Sequence, residues 1–152
     1  MSSEEQQHWF DPSPFIEGSH KLIEIVGEWP SFDDAEVYSL VLDRRDGAPW
    51  NPGSDSPTLD LKMQLAETGY FLVEISFKNV FNVELTNFSY QNSIQEIAFD
   101  RLLEQRDSAG NYSPAGVSAE IIAHCGLQGK FAFQSAIVGS VAPCNRDGTP
   151  RG

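Results

Sequence analysis

Apolar and polar positions alternate most regularly in residues 58–101. Leu59, Leu61, Met63 and Leu65 fall on one side of the chain, with Asp60, Lys62 and Gln64 between them. A side-chain period of two predicts a strand with one buried face. Ala66-Glu67-Thr68-Gly69 supplies a turn, and Phe71, Val73, Ile75 and Phe77 then resume the alternation around Glu74 and Ser76. Lys78-Asn79 makes a further short connection, and residues 80–85 and 94–99 are two more apolar runs. Four strands joined this closely predict an antiparallel meander.

The flanks add a helix and three more strands. Ser13 is a candidate N-cap with Pro14 at the first helical position. Phe15, Ile16, Leu22, Ile23 and Val26 then recur at helical spacing, although Gly18 weakens the middle. Gly27 suits the position just past a helix end, and Pro30 prevents continuation. Trp29 and Phe32 are expected to tuck this helix onto the sheet. Residues 37–42 read as the first strand. Residues 46–57 carry three prolines and two glycines, which predicts an irregular loop holding Trp50. That indole either folds back on the core or stays exposed as a contact residue.

A second polar loop spans 104–115. Val117, Ala119, Ile121, Ala123 and Cys125 alternate with polar positions up to a turn at 126–129. Residues 130–138 alternate again, so the last pair reads as a hairpin. Phe131, Phe133, Ser135 and Ile137 share one side of it, and the small apolar residues opposite suggest a strand covered on both faces. The expected fold is α+β: a largely antiparallel sheet of about seven strands with one N-terminal helix packed on it. One domain spans 1–152, with a core at about 9–140 and flexible ends at 1–8 and 142–152.

Charge narrows the function classes. The chain has 152 residues, with 22 Asp and Glu against 10 Lys and Arg, a formal net charge of −12. Nucleic acids and anionic membranes both demand positive charge, so neither is an expected partner. A basic protein partner fits, and so does plain solubility. No apolar run approaches the roughly 20 residues of a membrane span. The acidic start lacks the features of a signal peptide, so a cytoplasmic address with free thiols is expected.

The sequence holds no assembled catalytic constellation, and neither catalysis nor a cofactor is expected. His124 and Cys125 are neighbours, but successive residues on a strand point to opposite faces. Cys125 is in register with Ile121 and Ala123, which predicts a core thiol. His8, His20 and His124 show no zinc-ligand spacing. Asp33, Asp34 and Glu36 place three carboxylates at the entry to the first strand. Junction capping, a partner contact and a divalent cation all remain open for them. The amides and hydroxyls of 87–93 read first as turn chemistry, and second as a hydrogen-bonding surface.

Several segments together resemble a known family. Trp9-Phe10, Gly27-Glu28-Trp29-Pro30-Ser31-Phe32-Asp33-Asp34-Ala35-Glu36-Val37, Leu42-Asp43-Arg44 and Asn87-Phe88-Ser89-Tyr90-Gln91-Asn92-Ser93-Ile94 resemble the immunity protein 50 family of bacterial polymorphic toxin systems. The likeness covers about residues 9–140. The family carries a W-P-S-F-H-D-A-E-like entry to an early strand and an F-N-x-Q-N-like segment between later strands. Asp33 stands where that first motif has histidine, while Asp34, Ala35 and Glu36 match it. The resemblance implies an α+β protein that binds and neutralises a cognate toxin, a basic one on charge grounds, without catalysis. Asp33, Asp34, Glu36 and Trp50 are then candidate partner-binding residues. Two alternatives stand beside it: a small metal-dependent enzyme using Asp33, Asp34 and Glu36 with His124, and a domain that binds a ligand between helix and sheet.

Overall fold

The protein is described by a computed structural model that covers residues 10–44, 57–66, 69–110 and 112–149. A 3-10 turn, Ser13–Phe15, leads into a two-residue strand β1, Ile16–Glu17, and then the α-helix α1, His20–Val26. The helix is therefore shorter than its sequence pattern predicts, and Gly18 explains why. It lies at φ +78°, and a Cβ there would approach the Val138 carbonyl oxygen to 2.9 Å. A left-handed residue in close contact with a strand turns the chain before any helix can run through it. Gly27 ends α1 as expected, at φ 101° with its N–H donating to the Ile23 carbonyl.

The remaining strands are β2 (Glu36–Asp43), β3 (Thr58–Ala66), β4 (Tyr70–Lys78), β5 (Phe81–Thr86), β6 (Ser93–Leu102), β7 (Gln105–Arg106), β8 (Tyr112–Ser113), β9 (Gly116–Cys125), β10 (Gln128–Phe133) and β11 (Ser135–Pro143). Nine form one mixed sheet in the order β1-β11-β4-β3-β2-β6-β9-β10-β5, and β7 pairs with β8 in a separate ribbon. Every pairing is antiparallel except that of β1 with β11. The α+β class holds. The count exceeds seven through the short strands β1, β7 and β8 and through a split at the end of the chain.

The expected meander is not the observed topology. β3 and β4 pair over their full length, but β5 pairs with β10, and β6 lies between β2 and β9. The chain leaves β4 through Asn79, at φ 55°, and Val80 donates its N–H to the Pro57 carbonyl instead of continuing a hairpin. Asparagine tolerates this left-handed backbone. The departure carries the chain from one half of the sheet to the other.

Those halves, β1-β11-β4-β3-β2 and β6-β9-β10-β5, share a single ladder pair, Glu36 with Ser93. Irregular backbone bonds reinforce the junction: Asp34 N–H to the Ile94 carbonyl, Ile94 N–H to Ala35, and Ile97 N–H to Ser31. Across the interior the halves face one another. The Phe77 ring of β4 meets Phe131 at 4.9 Å and Phe133 at 4.8 Å on β10, a strand that is not its neighbour in the sheet. Phe133 continues to Phe99, Phe99 to Trp29, and Trp29 to Phe32. One apolar core thus spans both halves, and α1 contributes Leu22 to it.

The last hairpin also departs from expectation. β9 and β10 pair, but the chain then breaks at Gln134 and β11 joins β4. Gln134 sits at the crossing, with its N–H on the Lys78 carbonyl and its side-chain amide on the Ala115 carbonyl. The crossing shifts the alternation by one residue: Phe131 and Phe133 are buried, then Ala136 and Val138 rather than Ser135 and Ile137. A one-residue slip exchanges the two faces of a strand.

Residues 142–149 are tied down, contrary to the expected flexible end. Cys144 is buried and donates its N–H to the Tyr70 carbonyl. Gln64 is nearly buried, and its Nε2 donates to the carbonyls of Asn145 (3.0 Å) and Arg146 (2.9 Å). Gln64→Leu keeps the side chain's bulk and removes both bonds. We expect it to cost about 1–3 kcal/mol and to make the Cys144 thiol react with a thiol reagent under native conditions, where the wild-type thiol is protected.

Candidate functional site

Three segments that are far apart in sequence converge at one end of β6. They are the approach to β2 (31–36), the connection before β6 (87–92) and the end of β9 with its turn (124–127). Asn92 joins them. Its side chain is 2% exposed; Oδ1 accepts from the N–H groups of Ser89 (2.8 Å) and Leu127 (3.0 Å), and Nδ2 donates to the carbonyls of Ser89 (2.7 Å) and Val37 (3.3 Å). The Asn92 N–H donates to Glu36 Oε2 at 2.6 Å. Gly126 completes the junction at φ +82°. Any Cβ there would collide with the Gln91 carbonyl and lie 2.6 Å from Asn92 Oδ1.

Glu36 is therefore drawn away from Asp33 and Asp34. Its carboxylate caps the backbone at Asn92, so the three acids do not form one cluster. Asp33 and Asp34 instead meet His124, whose Nε2 lies 3.4 Å from Asp33 Oδ1 and 3.6 Å from Asp34 Oδ1. All three side chains are exposed. Cys125 is an exposed thiol beside the Gln91 carbonyl rather than a core one, while His124 meets the two aspartates. The alternation of β9 loses its burial after Ile121, opposite the register shifts at Ile94 in β6, so the strand end lifts off the core. The buried thiol is Cys144. Trp50 lies outside the described residues.

The polar residues of 87–93 serve two purposes. Asn92 is turn chemistry, as expected. Tyr90 and Phe88 are not: they stand 96% and 53% exposed on the loop that Asn92 pins. Tyr38 is 40% exposed nearby, at a register shift between Val37 and Ser39. A bulge re-aims the side chain it carries. Burial raises the Tyr38 phenol above its ordinary pKa, with Cys144, Glu36 and Asp147 adding to the shift. Glu36, Tyr38, Phe88, Tyr90 and Gln91 line a groove of about 540 Å³. That volume would suit a small ligand, but the groove is open and its aromatic walls stand in solvent.

A second concavity, about 330 Å³, lies on the outer face of the sheet at Ser39, Asp60, Lys62, Glu74, Ser76 and Gly139. Neither of these concavities is lined by α1, where the ligand-binding alternative places its pocket. Among the described residues, no helix is long and apolar enough to cross a membrane. No family model, no curated protein and no solved structure matches the chain.

Proposed function

We propose that this chain is a non-catalytic binding protein that captures and neutralises a basic protein partner, which the resemblance to immunity proteins makes a cognate bacterial toxin met in the cytoplasm. One observation carries the reading: a fully exposed tyrosine stands on a loop whose backbone is held by a buried asparagine. Interface energy concentrates in a few aromatic and charged anchors, and anchors held rigid before binding lose less entropy on binding. Tyr90, Phe88 and Tyr38 supply the aromatic surface. Glu36 lines the same groove, and Asp33 and Asp34 are exposed on the segment that leads into β2, in a chain of net charge −12. Such a surface steers a basic partner toward contact, and steering of this kind weakens with added salt.

The test is co-expression with the product of the neighbouring gene, together with binding measured on the purified pair. Wild-type protein should restore growth. Tyr90→Ala should weaken binding by at least about 30-fold, the scale of a hot-spot truncation, while leaving the unfolding curve unchanged. The association rate should fall as salt rises. If the pair does not associate, or if Tyr90→Ala and Phe88→Ala bind like wild type, the reading is lost. A metal-dependent enzyme is the second reading, favoured by the meeting of His124 with Asp33 and Asp34. Against it, the groove beside these residues is lined by Glu36 and not by Asp33, Asp34 or His124.

A further inference from the structure

We propose that Asp33, Asp34 and His124 form a surface site for a borderline divalent cation of the Zn2+ type. This inference is independent of the partner-binding reading. The donors come from the approach to β2 and from the end of β9, separated by some ninety positions of sequence. One ligand atom from each lies within 4.8 Å of the other two.

The spacing of the three donors is one that a shared cation accepts. An N–H donating to a carboxylate settles at about 2.7–3.2 Å. His124 Nε2 stands back from both acids, at 3.4 and 3.6 Å. Donors bound to a metal at about 2.1 Å are about 3.0 Å apart along an octahedral edge and about 3.4 Å apart along a tetrahedral one. His124 Nε2 makes a long hydrogen-bond contact with Asp33 at 3.4 Å and stands close to the spacing that a shared cation imposes.

Charge points the same way. Two acidic side chains converge on one imidazole. Among the described residues, neither acid has a Lys or Arg within ion-pair distance; the ion pairs of both are with His124. The donors also rest on fixed backbone. Asp34 donates its N–H to the Ile94 carbonyl, Asp33 donates its N–H to Ser31 Oγ, and His124 belongs to a sheet strand. One imidazole nitrogen with two carboxylate oxygens suits Zn2+ and its neighbours better than Mg2+ or Ca2+, which prefer all-oxygen shells. Three protein ligands leave a position for water or for a group brought by another molecule.

The test uses the full chain after chelator treatment. ZnCl2 is titrated calorimetrically, and in parallel the imidazole resonances of His20 and His124 are followed by NMR. The expected result is one site per chain, with His124 perturbed and His20 unchanged. Asp33→Asn with Asp34→Asn should weaken that binding by at least about tenfold. Zn2+ should raise the melting temperature of the wild type and not of the variant. Because these side chains are exposed, the metal-free variant should melt where the metal-free wild type does. Equal binding by variant and wild type, or a titration that leaves His124 unmoved, overturns the proposal.

Discussion

Asn92→Ala is expected to lower the unfolding free energy by roughly 3–5 kcal/mol, because each buried group left without a partner costs about 1–3 kcal/mol. The alanine would strand the N–H groups of Ser89 and Leu127 and the carbonyls of Ser89 and Val37. Water can reach some of these groups once the loop loosens, which keeps the total below the simple sum. Whole domains are stable by only about 5–15 kcal/mol, so this loss should be plain in a urea unfolding curve. Asn92→Asp separates the two halves of the effect. The aspartate retains the acceptor for Ser89 and Leu127, loses both amide donors, and sets a charge beside two carbonyls and Glu36. It should fall between wild type and alanine, and should worsen as the carboxylate ionises. Stability of both variants within about 0.5 kcal/mol of wild type, the usual range for an ordinary surface change, would mean that Asn92 does not hold the three segments together.

Phe77→Ala should cost about as much, roughly 3–5 kcal/mol, the usual range for emptying a buried phenylalanine site. Phe77 is 1% exposed and touches both Phe131 and Phe133 across the interior. Its loss therefore removes packing between the halves as well as a filled volume. Phe77→Leu should recover much of the stability. Phe131→Ala tests whether the contact is shared: if the pair matters as a pair, the double alanine variant should cost less than the two single losses added together. Thermal and urea unfolding of the four variants would show this. Full additivity would reduce Phe77 to an ordinary buried side chain.

Residue patterns disclosed the elements better than their partners. β3 and β4 are legible because one face of each is buried and the other wet, and the same two strands pair. β2 is legible from its run of apolar and β-branched residues, although only Val37 of it is buried. β5 and β6 are legible as strands, but their neighbours are not, since alternation carries no information about which edge a strand meets. The information that redirects the chain lies at Asn79 and Gln134, where the bonds from Val80 N–H to the Pro57 carbonyl and from Gln134 N–H to the Lys78 carbonyl exist only in the folded molecule. The start of α1 is not legible because Ile16 fits a helical stripe and a sheet edge equally well; Gly18 decides for the edge.

The candidate site was partly visible. Asp33, Asp34 and Glu36 stand together in sequence, yet a bend at Phe32 and Asp34, both with positive φ, and the bond from Asn92 N–H send Glu36 elsewhere. His124 joins Asp33 and Asp34 through sheet order, which no local pattern reveals. Tyr90 was hidden among amides that suggest a turn. The one cue was a large aromatic with no alternation around it, and that cue gains meaning only once Asn92 is seen to hold the loop.

The contrast between the two cysteines gives the molecule a built-in labelling handle. Cys125 is exposed at the rim of the groove, while Cys144 is enclosed beneath the segment that Gln64 secures. A maleimide fluorophore added to the native protein should attach at Cys125 in preference to Cys144. The dye would then sit next to Gln91, where docking of another molecule would change its emission without any engineered cysteine.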